Sequence, residues 1–89
     1  MKVVWKYVLD PQIRDIVYLP KGAKILKVEP QLGEFCLWAL VDTSKTPEPR
    51  KIVIMGTGHP IEHDNIKFIS TFQVDNGSFI FHVFEVIGE

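Results

Sequence analysis

Apolar and polar side chains alternate along most of this chain. Val3, Trp5, Tyr7 and Leu9 alternate with Lys2, Val4, Lys6 and Val8, which predicts a first strand with one clearly apolar face, closed by Asp10-Pro11. Ile13 to Leu19 reads as a second strand, ended by Pro20-Lys21-Gly22, where proline fixes φ and glycine can take φ > 0. A third runs from Lys24 to about Glu29, and Pro30 and Gly33 bracket the following turn. Glu34 to Asp42 is apolar on both faces between its terminal acids, so it should lie centrally with material packed on each side. Phe35, Leu37, Ala39 and Val41 share one of its faces, and Cys36, Trp38 and Leu40 the other, which leaves one apolar face for a partner subunit or a flat ligand.

Residues 43–49 are polar with two prolines and predict a long exposed loop. Arg50 to Met55 is a fifth strand, and Gly56 through Asn65 an irregular connection in which Pro60 can open one short helical turn. Ile66 to Val74 and Phe79 to Val86 flank Asn76-Gly77, a dipeptide suited to the two positive φ values of a type I′ hairpin. That turn sets Phe72 opposite Phe81, Val74 opposite Phe79, and Thr71 opposite His82. No stretch of a dozen residues keeps helical apolar spacing without a Pro or Gly inside it. The expected fold is all-β: a small antiparallel sandwich or partly open barrel of about seven short strands, forming one domain over residues 1–89.

Composition narrows the class. Hydrophobic residues make up 46% and charged residues 24%, the balance of a folded chain and not of a disordered tail. Ten Lys and Arg against eleven Asp and Glu give net −1, which lacks the one-sided positive field of a duplex nucleic-acid binder. Residues 1–31 carry six cations and three anions, so Arg14, Lys21, Lys24 and Lys27 could form a mild basic face, or simply be solvated lysines at strand edges. The single Cys36 excludes an internal disulfide and a four-cysteine zinc site, and suits a reducing compartment. Lys6 and Asp10 interrupt any apolar signal core, and the longest apolar run, Phe35 to Val41, is far too short to span a bilayer. A cytoplasmic protein without membrane contact is expected.

Several constellations could carry chemistry. His59-Pro-Ile-Glu62-His63 has the spacing of an inverted zinc-protease motif, but that motif needs a stable helix, and Pro60 and the preceding Gly-Thr-Gly argue against one. Cys36 lies on the most apolar strand, where a thiol packs as a small hydrophobe. His82 reads more readily as a half-buried histidine bonded across the hairpin to Thr71 than as a general base. Gly56-Thr57-Gly58-His59 lets consecutive backbone N–H groups turn toward one anion, although a plain tight turn explains the same glycines. Trp38 supplies an aromatic surface and Arg50 a cation for such a ligand.

At Pro20-Lys-Gly-Ala-Lys-Ile-Leu26, Cys36-Leu-Trp-Ala-Leu-Val-Asp42, Gly56-Thr-Gly-His-Pro60, Thr71-Phe-Gln73 and Phe81-His-Val-Phe-Glu85, the sequence resembles a family of small uncharacterised phage and prophage proteins. The resemblance implies an origin and no reaction. Small phage β-proteins often act by occupying something. The leading expectation is therefore a non-enzymatic, homo-oligomeric protein of the host cytoplasm. It would sequester a phosphate-bearing, nucleotide-derived signalling molecule such as a cyclic nucleotide or ADP-ribose derivative, as an anti-defence sponge. Its ligand-binding residues would be Trp38, Arg50, Gly56, Thr57, Gly58, His59 and His82, with no catalytic residue, metal or cofactor. The alternatives are a phage protein that inhibits a host protein through an apolar sheet face, and a metal hydrolase using His59, Glu62 and His63.

Overall fold

The computed structural model describes residues 1–10 and 16–88 and is all-β, in two antiparallel sheets. In chain order the strands are β1 (Lys2–Leu9), β2 (Ile16–Pro20), β3 (Lys24–Gln31), β4 (Glu34–Asp42), β5 (Pro47–Gly56), β6 (Ile66–Val74) and β7 (Phe79–Val86). One sheet has the order β1-β4-β3 and the other β2-β5-β7-β6. The expected start of the second strand at Ile13, and Arg14 of the basic group, lie outside the described residues.

The alternation read from β1 and β4 decides what is inside. Val3, Trp5, Tyr7 and Leu9 stand opposite Val41, Ala39, Leu37 and Phe35, so both sets point to the same side of the sheet. That side meets Leu19, Ile52, Phe72 and Val83 from the other sheet in one core. Phe35, Phe72 and Phe81 close one end of it, with ring centroids 5.6 to 6.0 Å apart.

The barrel does not close, but one seam is stitched. Ser70 on β6 donates its hydroxyl to the Val28 carbonyl at 2.7 Å and accepts the Val28 N–H at 3.3 Å. A side chain thus does for β3 and β6 what a ladder does elsewhere. Each of these strands carries a bulge beside the seam, between Ile25 and Lys27 and between Phe68 and Ser70, which bends the edges toward one another.

The polar stretch after β4 is shorter than expected. Pro47 and Pro49 lie in β5, opposite Pro20 and Tyr18, so only residues 43–46 form the loop. Two prolines spaced by two place their missing donors on one side of the strand, and β7 begins pairing with β5 only at Lys51. The loop is held by an Asx turn: Asp42 Oδ1 accepts the Ser44 N–H at 3.0 Å and its hydroxyl at 2.7 Å. These bonds, the backbone one first, lower the Asp42 carboxyl from 3.8 to about 2. A depressed folded value means that this carboxylate stabilises the fold above its unfolded pKa of 3.8 and ceases to do so as pH falls toward 2. Ser44→Ala, which removes the hydroxyl bond and keeps the backbone one, is expected to raise the Asp42 titration midpoint part of the way toward 3.8, read by carboxyl-carbon NMR; an unmoved midpoint would mean that the hydroxyl is not a cause.

The hairpin pairs are those that Asn76-Gly77 dictates, with Phe72 opposite Phe81, Val74 opposite Phe79 and Thr71 opposite His82. Asn76 (φ 56°, ψ 34°) and Gly77 (φ 87°) form the turn, closed by the Ser78 N–H on the Asp75 carbonyl at 3.1 Å. Asp75 also takes positive φ, so the ladder stops one pair short of the turn. Between β3 and β4, Leu32 (φ 52°) and Gly33 (φ 81°) make a second tight hairpin, in which the leucine is almost wholly exposed. A bulky residue in that conformation stores local strain.

Candidate functional site

Gly56 lies six positions beyond Arg50 on β5, and at ~3.3 Å per residue the two are about 20 Å apart. Arg50 faces the core side, where its guanidinium is held by both carboxylate oxygens of Glu85 and donates to the Ala23 carbonyl at 2.8 Å. The pair is largely buried, and the Glu85 hydrogen bond raises the Arg50 pKa above its ordinary value. A cleft of about 620 Å³ borders it, lined also by Glu48, Lys51 and Lys67. Trp38 projects from the outer side of β4, level with Lys6 and Lys27, with the whole core between it and His82. The seven expected ligand residues therefore do not form one pocket within a chain.

Gly56, Thr57, Gly58, His59 and His82 do come together. Gly58 (φ 88°) shapes a tight turn in which the His59 N–H bonds to the Gly56 carbonyl at 3.1 Å, while the Thr57 N–H bonds to the Ile80 carbonyl at 3.3 Å. Two of the three amides expected to meet an anion are thus engaged inside the fold. The His59 ring lies on Gly56, where an added Cβ would come within 2.9 Å of Cε1. A cleft of about 370 Å³ runs from this turn to Gly77, Ser78 and Phe79. His82 is bonded on both ring nitrogens, to the Thr57 hydroxyl at 2.7 Å and the Thr71 hydroxyl at 3.0 Å. The expected cross-hairpin bond to Thr71 is present, joined by one to Thr57.

His59-Pro-Ile-Glu62-His63 lies in an irregular segment, so the short helical turn expected at Pro60 does not form. Without a helix, the spacing of His59 and His63 does not place them on one face. Among the described residues no three His, Cys, Asp or Glu side chains cluster as metal ligands. Cys36 is fully buried under the outer face of its sheet.

The surface that the sequence did not locate is the outer side of the four-stranded sheet. Ile16 and Tyr18 on β2, Val53 and Met55 on β5, Phe84 on β7 and Phe68 on β6 lie on it together. Phe68 is 58% exposed and Tyr18 63% exposed, and the Phe68 and Phe84 rings meet edge to face at 5.8 Å. His82 with its two threonines and Lys51 supply polar groups beside this band. The bulge explains why it was missed. Pairing counted back from the turn sets Phe68 opposite Glu85, on the core side; the extra residue Ile69 moves Phe68 opposite Phe84 and turns it outward.

These features define an open, two-sheet all-β domain whose large apolar surfaces lie on sheet faces. The chain belongs to a family described as a domain of unknown function, DUF7352, whose model matches residues 1–89. No curated protein and no solved structure matches it. Among the described residues, no helix is long and apolar enough to cross a membrane.

Proposed function

We propose that the protein acts by binding and that the outer face of the four-stranded sheet docks on another protein. The supporting observation is the exposed Phe68 ring set against the half-buried Phe84 within an aliphatic and tyrosine-bearing band. Small molecules take concave sites, whereas a broad face with aromatic centres and polar groups beside them has the make-up of a protein-binding hot spot. In this reading it is a phage-type, self-associating protein of the host cytoplasm that occupies and inhibits a host protein. A second reading keeps a phosphate-bearing, nucleotide-derived ligand in the cleft beside Gly56–His59. Its support is the exposed Phe79 ring, which lies in the same cleft as Thr57 and His59.

One comparison separates them. Immobilised protein in host extract should retain a stoichiometric partner, Phe68→Asp should weaken retention at least tenfold, and Phe79→Asp should leave it intact. Loss through Phe79→Asp alone, with a thermal shift from cyclic dinucleotides or ADP-ribose at millimolar excess, would transfer the function to the cleft.

A further inference from the structure

The sheet order leaves β1 at an edge, and among the described residues no strand pairs with its far side. Among the described residues, the edges β3 and β6 face one another across the seam and β2 ends in proline, whereas β1 has eight residues and no proline. A long edge strand normally carries a cation or a proline that discourages a second chain. Here the central cation has been turned away. Lys6 crosses β4 to donate to Gln31 Oε1 on β3 at 2.9 Å, which draws its charge off the edge. Trp5 stays behind on the edge, 46% exposed, although it belongs to the core-facing side and stands opposite the small Ala39.

We infer that β1 pairs antiparallel with β1 of a second copy about a two-fold axis through Trp5, so that the three-stranded sheets of two molecules become one sheet of six. Faces, charges and ladder length select this register, since centring on Val3, Tyr7 or Val8 avoids like charges but pairs only about three to five residues of the strand. Core-facing side chains can oppose core-facing side chains only when a residue of the strand lies opposite its own copy, because a shift by one residue exchanges the faces. Centring on Lys6 sets Lys6 against Lys6, and centring on Val4 sets Lys2 against Lys6, like charges that destabilise a cross-strand pair. Centring on Trp5 opposes Trp5 to Trp5, Val3 to Tyr7, Val4 to Lys6 and Lys2 to Val8, with no such clash along nearly the full strand. A two-fold interface is self-complementary in this sense, and the ladder supplies its hydrogen bonds.

This interface rests on the self-association named above and not on the docked protein, so its test uses the purified chain alone. Sedimentation of the wild type should show a dimer at tens of micromolar protein. Trp5→Lys and Trp5→Glu should each sediment as monomers, and a one-to-one mixture of the two should return to dimer, which also shows that both variants are folded. Mild oxidation should cross-link Trp5→Cys to itself but not Val3→Cys, whose neighbour is Tyr7, while buried Cys36 stays out of the reaction. A wild type that is monomeric at millimolar concentration, variants that still dimerise alone, or a mixture that stays monomeric would each overturn the inference. Loss of partner capture by Phe68→Asp with the dimer intact would leave it standing.

Discussion

Leu37→Ala is expected to remove about 3–4 kcal/mol of folding stability and to lower Tm by roughly 15–25 °C, because it opens a cavity where the two sheets meet. Leu37 is fully buried on the core side of β4, opposite Tyr7 and Val28 in its own sheet. The rigid sheet framework leaves little room for collapse around the missing atoms. Its neighbour Trp38 is the larger side chain, yet it lies on the outer side and is only half-buried. Trp38→Ala should therefore cost only about 1 kcal/mol, lost chiefly from partial area burial. Urea titration of both variants decides the matter, and a larger loss for Trp38 would mean that β4 presents its faces the other way.

Glu85→Leu should cost about 3 kcal/mol, since it leaves the Arg50 guanidinium with little solvent and only Glu48 as a nearby anion. Arg50→Met alone should cost a similar amount, by stranding the Glu85 carboxylate. The double variant Arg50→Met with Glu85→Leu should fall within about 1 kcal/mol of the wild type, because an apolar pair of similar volume replaces a pair that was costly to desolvate. What remains lost in the double variant is the hydrogen bond from Arg50 to the Ala23 carbonyl. Denaturant melts of the four proteins form a double-mutant cycle, and additive losses would show that Arg50 and Glu85 act separately.

The ion pair is also where sequence reading was least able to see. Nothing in the spacing of Arg50 and Glu85 announces a contact across 35 positions, and an arginine beside a glycine-rich turn looks available for an anion. By contrast, the strands themselves were legible. Period-two alternation located β1 with its buried side and sorted β4 into its two faces without telling which is buried, and Asn76-Gly77 fixed the pairing near its own turn, because both are local consequences of backbone geometry. Bulges broke that reasoning. One added residue at Ile69 reverses every face before it, and in doing so carries Phe68 from the core side to the surface on which the proposed function depends. Residues 43–49 misled for a related reason: two prolines read as loop, yet an open strand side tolerates both.

Hydroxyl-radical footprinting of the protein in host extract, against the same protein in buffer, tests the proposed docking face most directly. Tyr18, Met55, Phe68 and Phe84 should become protected in extract, while Phe79 at the cleft and Trp38 on the opposite sheet keep their labelling. Unchanged labelling of Phe68 and Tyr18 together with protection of Phe79 or Trp38 would contradict the account.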